Sequence, residues 1–122
     1  MAKVLVIEDN AKNLKLAVFL LRKQGYEVLS AMTAEEGIAL THADPPDLIL
    51  MDIQLPGMDG IQATQALKAQ ASTQHIKIIA LTAFAMDGDK QRILDAGCDG
   101  YISKPIRYQS FLADVHRFIG AD

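Results

Sequence analysis

A run of four apolar residues near the middle of the chain limits its possible folds more than any other segment. Residues 48–51 are all apolar and lie between Asp47 and Asp52. Such a run is typical of a strand that is buried on both faces, in a parallel sheet with helices on either side. Asp52 would then stand at the carboxyl end of this strand, the edge of an open α/β sheet where ligands bind. Pro56 and Gly57 follow and predict a turn.

Strand-like and helix-like segments alternate along the rest of the chain. Short apolar runs predict strands, and apolar residues at helical spacing, such as Leu14, Ala17 and Leu21, predict helices. The predicted strands are residues 4–7, 26–31, 48–51, 76–81 and 100–102, and the predicted helices are residues 12–24, 34–43, 61–70, 86–96 and 108–119. This alternation predicts right-handed crossovers and a five-stranded parallel sheet with five helices on both faces. We expect one α/β domain over residues 1–122, with the flavodoxin-like strand order 2-1-3-4-5.

The composition excludes several classes of protein. The chain has 12 basic and 15 acidic residues, and its net charge of −3 gives no general attraction to nucleic acid or to anionic membranes. Cys98 is the only cysteine, so an internal disulfide and a cysteine-rich metal site are excluded, and we interpret it as a small buried residue. No segment has the pattern of a signal peptide or the length of a membrane span, and we therefore expect a cytoplasmic protein.

Polar residues follow four of the five predicted strands at their carboxyl ends. Glu8 and Asp9 follow the first strand, Asp52 the third, Thr82 the fourth and Lys104 the fifth. The first and third strands are neighbours in the predicted order, so the carboxylates of Glu8, Asp9 and Asp52 should converge. Three close carboxylates raise one another's pKa unless a cation lies between them. Oxygen ligands without cysteine or histidine favour Mg²⁺ over zinc.

The same residues have the chemistry needed to move a phosphoryl group onto a carboxylate. A carboxylate beside Mg²⁺ can attack phosphorus and form an acyl phosphate. A hydroxyl and a cation must then hold the phosphate oxygens, and Thr82 and Lys104 supply one of each. Taken singly, these residues also have ordinary structural interpretations, as an acidic helix start, a strand end and a surface lysine. Their occurrence at successive strand ends favours a shared site.

These motifs together resemble the receiver domain of two-component response regulators. The matching segments are residues 8–9, 50–60, 81–83 and 104–105, and the resemblance covers nearly the whole chain. Residues 82–86 and 97–105 are most similar to stand-alone regulators of the DivK type and to the receivers of hybrid sensor kinases. The resemblance implies a single-domain response regulator of a phosphorelay, without an output domain. It also implies no enzyme activity beyond self-phosphorylation from a phosphodonor and slow self-dephosphorylation.

By this resemblance Asp52 is the phosphoryl acceptor. The donor would be a phosphohistidine on a sensor histidine kinase or a histidine phosphotransfer protein. Asp9 and Asp52 would bind Mg²⁺ directly, together with the backbone carbonyl of Gln54. Glu8 would act largely through metal-bound water.

The resemblance also assigns roles to the residues that follow the fourth and fifth strands. Thr82 and Lys104 would contact the phosphoryl group, and the peptide bond between Lys104 and Pro105 would be cis. Phosphorylation would draw the Thr82 hydroxyl toward the phosphate and let Tyr101 turn inward. Tyr101 and the loop of residues 82–86 would therefore form the switch.

Two surfaces are expected to contact other proteins. Leu14, Ala17 and Pro105 are candidates for contact with the phosphohistidine-bearing helix. Phe84 and Met86 are apolar residues in a predicted loop and suggest a surface for a downstream target protein. We expect a monomer or a weak dimer.

Two other functions are compatible with the predicted fold. A flavin carrier or enzyme would bind an anionic phosphate after the first strand, where Glu8 and Asp9 would repel it unless a metal intervened. The sequence also has no tryptophan to cover a flavin and no glycine-rich phosphate-binding motif. A constitutive scaffold would keep the pocket without being phosphorylated. The residues expected for the acceptor, the metal site, the hydroxyl and the lysine are all present, which argues against a scaffold. The sequence alone does not exclude it.

Overall fold

The computed structural model of the chain describes residues 2–83 and 87–120, with the backbone alone for residues 87–89. Within these residues five strands alternate with five helices. The strands are β1 (Lys3–Ile7), β2 (Glu27–Ala31), β3 (Leu48–Asp52), β4 (Lys77–Thr82) and β5 (Gly100–Ser103). The helices are α1 (Ala11–Lys23), α2 (Ala34–Ala43), α3 (Gly60–Lys68), α4 (Asp87–Asp95) and α5 (Tyr108–Ile119). The predicted segments match these elements to within about two residues at each end.

The five strands form one parallel sheet in the order β2-β1-β3-β4-β5, which confirms the predicted fold. β3 lies between β1 and β4, with Leu50 opposite Val6 on one side and Ile79 on the other. All five residues of β3 are buried, including Asp52. The central apolar run of the sequence is therefore buried because both of its faces are covered.

Alternate residues of the strands face two separate apolar layers. Val4 and Val6 of β1 belong to one layer, and Leu5 and Ile7 belong to the other. The first layer includes Ala17, Leu20 and Leu21 of α1 with Phe111 and Val115 of α5. The second includes Ala34 of α2, Ala63 and Leu67 of α3, and Ile93 of α4. The helices thus cover both faces of the sheet, and the carboxyl ends of the strands are left for the loops.

Side-chain caps stabilise the starts of α1 and α3, the helices that follow β1 and β3. Asn10 Oδ1 accepts a hydrogen bond from Asn13 N at 3.0 Å at the start of α1. At the start of α3, Asp59 Oδ1 accepts one from Gln62 N at 2.8 Å, and Gln62 Oε1 accepts one from Asp59 N at 3.1 Å. These bonds satisfy N–H groups that a helix start leaves without a partner. They also set where the loops that follow β1 and β3 end.

Gly60, the first residue of α3, lies against the end of β3. Its N–H donates to Ile53 O at 3.1 Å. A Cβ atom added to Gly60 would lie 2.2 Å from Asp52 O and 2.9 Å from the Cα of Ile53. Both distances are too short for non-bonded atoms, so this close approach of α3 to the backbone of Asp52 requires a glycine.

One smaller prediction from the sequence also has an answer in the structure. Cys98 is buried, and its Sγ lies 3.7 Å from Thr64 Oγ1, which confirms its interpretation as a small buried residue. In the part of the chain that the structure describes, no helix is both long enough and apolar enough to cross a membrane.

Candidate functional site

The carboxyl ends of β1, β3, β4 and β5 bring the predicted site residues to one edge of the sheet. Glu8 follows β1 directly, Asp52 ends β3 and Thr82 ends β4. Asp52 lies opposite Leu81 in the register between β3 and β4. Lys104 follows β5, and its N–H donates to Thr82 O at 2.7 Å. The parallel register therefore places a carboxylate, a hydroxyl and a lysine on neighbouring strands.

Glu8, Asp9 and Asp52 form an acidic cluster at this edge. Each offers a carboxylate oxygen, and the three oxygens lie within 4.8 Å of one another. Glu8 is fully buried and Asp52 is 3% exposed, whereas Asp9 is exposed to solvent. A set of oxygen donors without sulfur or nitrogen suits a hard divalent cation such as Mg²⁺. The cluster can hold a metal ion that enters from the solvent side of Asp9.

The side chain of Lys104 lies between the two buried carboxylates. Its Nζ is 2.7 Å from Glu8 Oε1 and 3.2 Å from Asp52 Oδ2. The second oxygen of each carboxylate accepts a backbone N–H, from Asn10 to Glu8 at 3.1 Å and from Gln54 to Asp52 at 3.0 Å. Sequence reasoning did not identify these two N–H donors, because the backbone after each strand supplies them whatever the residue type. Both carboxylates are therefore held in fixed orientations.

The pKa values of the two carboxylates are shifted in opposite directions, although burial acts to raise both. Burial, together with the neighbouring Glu8, raises the pKa of Asp52 from 3.8 to about 7, although the Gln54 N–H and the Lys104 ammonium favour its charged form. Burial also acts to raise the pKa of Glu8, but hydrogen bonds with Asp52, Lys104 and Asn10 hold that pKa below its usual value. In the metal-free site Glu8 is therefore charged near neutral pH, whereas Asp52 is protonated in a part of the molecules.

Lys104 keeps its charge in this surrounding. Burial acts to lower its pKa, but the carboxylates of Glu8 and Asp52 outweigh burial and raise the pKa above its usual value. A permanent cation thus stands beside the carboxylate of Asp52. Such a cation can neutralise further negative charge at this position.

Thr82 and Tyr101 lie beside this site on β4 and β5. Thr82 is 5% exposed and lies opposite Ser103 in the strand register. Tyr101 is half-buried, and the Nζ of Lys90 lies 5.5 Å from the centroid of its ring. The peptide bond between Lys104 and Pro105 is cis, the isomer that the family resemblance implied.

The structure corrects one residue of the predicted partner surface. Leu14 lines a groove on α1, and Pro105 is exposed. Ala17, in contrast, is 0% exposed and belongs to the apolar layer between the sheet and α5. The prediction that Ala17 contacts a partner is therefore wrong, because its methyl group faces the core. Phe84 and Met86 lie outside the described residues.

Two other apolar residues of α1 are exposed instead. Leu16 is 40% exposed and Phe19 is 61% exposed. Lys23 Nζ lies 5.9 Å from the centroid of the Phe19 ring and 5.8 Å from that of Tyr108, at the start of α5. Sequence reasoning missed Leu16 and Phe19 because it followed only the apolar stripe that faces the core. Their positions away from that stripe were the available signal.

Comparison with known proteins identifies relatives of the whole chain. The sequence model of the response regulator receiver domain matches residues 4–116. The polar-differentiation response regulators DivK of Brucella ovis and Brucella abortus are 44% identical over 117 residues, which cover 96% of this chain and 95% of each relative.

Solved structures agree with the sequence comparison. The chemotaxis response regulator CheY4 of Vibrio cholerae is 28% identical, with a TM-score of 0.92 over 96% of this chain and 98% of that one. The receiver domain of a sensor histidine kinase from Pseudomonas aeruginosa PAO1 is 34% identical, with a TM-score of 0.89 over 98% of both chains. Its crystal structure has a magnesium ion coordinated in the active site cleft. These relatives favour the receiver interpretation over a flavin carrier, and the chain belongs to the response regulator receiver domain family of two-component phosphorelays.

Proposed function

We propose that Asp52 is the residue on which this receiver is phosphorylated. The supporting observation is the position of its carboxylate, which is buried between the Gln54 N–H and the Lys104 ammonium at the end of the central strand. An oxygen of Asp52 would attack the phosphorus of a phosphohistidine. The phosphorus–nitrogen bond would break, and the electron pair would leave with the imidazole, so that an acyl phosphate forms on Asp52.

The acidic cluster would hold the Mg²⁺ ion of this site. Asp9 and Asp52 would be direct ligands, with the backbone carbonyl of Gln54, and Glu8 would act largely through metal-bound water. When bound, Mg²⁺ offsets negative charge on the phosphoryl oxygens and favours the charged form of Asp52. The grouping of the three carboxylates and the magnesium ion in the Pseudomonas aeruginosa receiver both support this assignment.

Thr82 and Lys104 would hold the phosphoryl group after transfer. The Lys104 ammonium is 3.2 Å from Asp52 Oδ2, so a phosphate on Asp52 would come within reach of it. The Thr82 hydroxyl, at the end of the neighbouring strand, would donate a hydrogen bond to a phosphate oxygen. Both contacts strengthen as negative charge arrives at Asp52.

Thr82 and Tyr101 would report the phosphorylated state to the protein surface. Movement of the Thr82 hydroxyl toward the phosphate would open space for Tyr101 to turn inward. The register supports this coupling, because Thr82 lies opposite Ser103, only two residues after Tyr101 in β5. The two rotamer arrangements of Tyr101 would present different surfaces to a target protein.

The protein would act as a binding module in the cytoplasm rather than as an enzyme. A sensor histidine kinase or a histidine phosphotransfer protein would supply the phosphoryl group. The receiver would then bind a downstream target or pass the phosphate onward, as a single domain and a monomer or weak dimer. The DivK relatives support a role without an output domain, because the matched region covers 95% of their length.

The direct test is the intact mass of the protein after incubation with Mg²⁺ and acetyl phosphate. We expect a gain of one phosphate in the wild type, no gain in Asp52→Asn, and no gain in the wild type when EDTA removes the metal. Circular dichroism of Asp52→Asn should show an unchanged fold.

Phosphorylation of Asp52→Asn at the wild-type rate would overturn the assignment of the acceptor. If neither protein gains mass, binding of beryllofluoride with Mg²⁺ distinguishes the remaining interpretations. Binding would show a competent pocket that rejects this donor, and no binding would favour the constitutive scaffold.

A further inference from the structure

A cleft of about 300 Å³ lies beside Asp52, between the start of α3 and α4. We name it the Arg92 cleft, and its lining includes Ile53, Gln54, Ile61, Thr82, Arg92 and Ile93. We propose that the Arg92 cleft receives the leaving group of a small acyl phosphate, with Arg92 recognising the departing carboxylate. This inference rests on the proposed role of Asp52 as acceptor.

The cleft adjoins the carboxylate on which the phosphoryl group would be placed. Ile53 and Gln54 directly follow Asp52, and the Gln54 N–H is bonded to Asp52 Oδ1. Ile53 N donates to Leu81 O at 3.1 Å, so Thr82 lies next to the same loop. A donor whose phosphorus approaches Asp52 would therefore have its remaining atoms beside Gln54 and Thr82.

The lining of the cleft combines a small apolar wall with a guanidinium group. Ile53, Ile61 and Ile93 supply the wall, and Ile93 is only 1% exposed. Asp59 also lines the cleft, but its Oδ1 accepts the capping hydrogen bond from Gln62 N at 2.8 Å. These groups suit a ligand with a short hydrocarbon part and an anionic end.

Arg92 lines the cleft from α4, together with Gln54 and Thr82. Side chains of an α-helix tilt toward its N-terminus, and the N-terminal end of α4 follows the carboxyl end of β4. Ile93, the next residue, anchors this part of α4 in the apolar layer that contains Met51. The planar guanidinium can donate two parallel hydrogen bonds to a carboxylate, which a lysine cannot do.

The transfer step explains why a cation at this position matters. An oxygen of Asp52 forms a bond to phosphorus, and the bond from phosphorus to the bridging acyl oxygen breaks. The electron pair of that bond leaves with the acyl group as a carboxylate, and no proton needs to move. Negative charge therefore develops on the leaving group, where Arg92 can stabilise it in the transition state.

Phosphoramidate provides the contrasting donor. Its leaving nitrogen carries protons already and departs as neutral ammonia, so no anion forms for Arg92 to recognise. A leaving-group site should thus affect the two donors differently. A role of Arg92 in the fold or at Asp52 itself would affect both donors alike.

The experiment compares phosphorylation rates with acetyl phosphate and with phosphoramidate, both with Mg²⁺, by intact mass. With acetyl phosphate we expect Arg92→Gln to lose about tenfold in rate constant, because a charge-assisted hydrogen bond is lost. Arg92→Lys should recover part of that loss. With phosphoramidate both variants should match the wild type. Arg22→Gln, an exposed arginine on α1, removes the same charge and should leave both rates unchanged.

Three outcomes would overturn the inference. Equal losses with both donors would show that Arg92 supports the fold or Asp52, and circular dichroism would separate these two. Wild-type rates with both donors in Arg92→Gln would show that Arg92 has no role in transfer. Failure of the wild type to accept phosphate from acetyl phosphate would overturn this inference, and failure with both donors together with no binding of beryllofluoride would overturn the proposed acceptor as well.

Discussion

Lys104 Nζ lies 2.7 Å from Glu8 Oε1, closer than its 3.2 Å distance from Asp52 Oδ2. One ammonium group thus forms ion pairs with two buried carboxylates, and Glu8 is its nearer partner. Burial raises the pKa of Asp52 to about 7, whereas hydrogen bonds to Asp52 and Lys104 hold the pKa of Glu8 low against the same effect of burial. Asp52 is therefore the carboxylate whose charge changes near neutral pH.

Replacing Lys104 by methionine should destabilise the metal-free protein at pH 8. The change leaves two buried carboxylates without their cation, which costs about 3 kcal/mol in free energy of unfolding. At pH 5.5 the loss should be smaller, because Asp52 is then protonated and needs no cation. Urea unfolding at the two pH values measures both losses, with Lys12→Met on the exposed side of α1 as control. A loss that is the same at both pH values would contradict this account.

Replacing Asp52 by asparagine should stabilise the metal-free protein at pH 8. The pKa of Asp52 is raised from 3.8 to about 7, so the folded state binds this proton more tightly than the unfolded state does. Wild-type stability consequently falls as the pH rises from about 4 to about 7. Asparagine carries no charge and escapes this loss. The expected gain at pH 8 is on the order of 2–4 kcal/mol in free energy of unfolding.

The pH dependence of this gain is the decisive observation. Urea unfolding with EDTA present should give the full gain for Asp52→Asn at pH 8 and almost none at pH 4.5, where wild-type Asp52 is protonated. An equal gain at the two pH values would show that the carboxylate charge is not its cause.

Binding of Mg²⁺ should offset the repulsion between the carboxylates of the acidic cluster and so stabilise the folded protein. At pH 8, Mg²⁺ well above its dissociation constant should stabilise the wild type by about 1–3 kcal/mol, since it binds the folded state alone. Asp9→Asn removes the exposed oxygen ligand and should reduce this stabilisation, whereas Glu35→Gln, on the exposed side of α2, should not. Thermal unfolding with and without EDTA gives the comparison. Equal Mg²⁺ effects in the two variants would argue against Asp9 as a ligand.

The arrangement of the strand ends could be predicted from sequence because it depends on local patterns. Each apolar run predicts a strand, and a parallel sheet places all carboxyl ends at one edge. Glu8, Asp52, Thr82 and Lys104 therefore converge once the strand order is known. The distances that make Glu8 the nearer partner of Lys104 depend on side-chain packing, which no sequence pattern contains.

The exposed faces were harder to predict, because exposure depends on which helices pack together. Ala17 and Leu14 belong to one apolar stripe of α1, but only the packing against α5 shows that Ala17 is fully buried. Arg92 lies forty residues after Asp52 in the chain. Its place in the same cleft as Gln54 arises from the packing of α4 on the apolar layer that contains Met51, so no local motif marks it.

Gly60→Ala should destabilise the protein although alanine favours helices. Gly→Ala normally stabilises a helix by about 1 kcal/mol. Here the new Cβ would lie 2.2 Å from Asp52 O, so either α3 or the end of β3 must move. We expect a net loss of about 1–3 kcal/mol in free energy of unfolding and slower phosphorylation by acetyl phosphate. Gln65→Ala, an exposed change within α3, is the control, and a stabilising effect of Gly60→Ala would show that the contact is not tight.

Replacing Phe19 should have little effect on stability, whereas replacing Ala17 should destabilise the protein. Phe19 is 61% exposed, so Phe19→Ala should cost less than about 1 kcal/mol, mostly its cation–π contact with Lys23. If α1 docks the phosphohistidine protein, the same change should slow transfer from that protein and leave acetyl phosphate transfer unchanged.

Ala17→Leu should instead overfill the apolar layer and cost about 1–3 kcal/mol. Urea unfolding measures the stability of both variants. Transfer rates from a phosphorylated histidine phosphotransfer protein of the same cell, set beside those from acetyl phosphate, measure docking. Because the small donor needs no docking surface, a loss confined to the protein donor in Phe19→Ala would place Phe19 in the interface. Equal rates for wild type and Phe19→Ala with the protein donor would show that this exposed ring is not part of it.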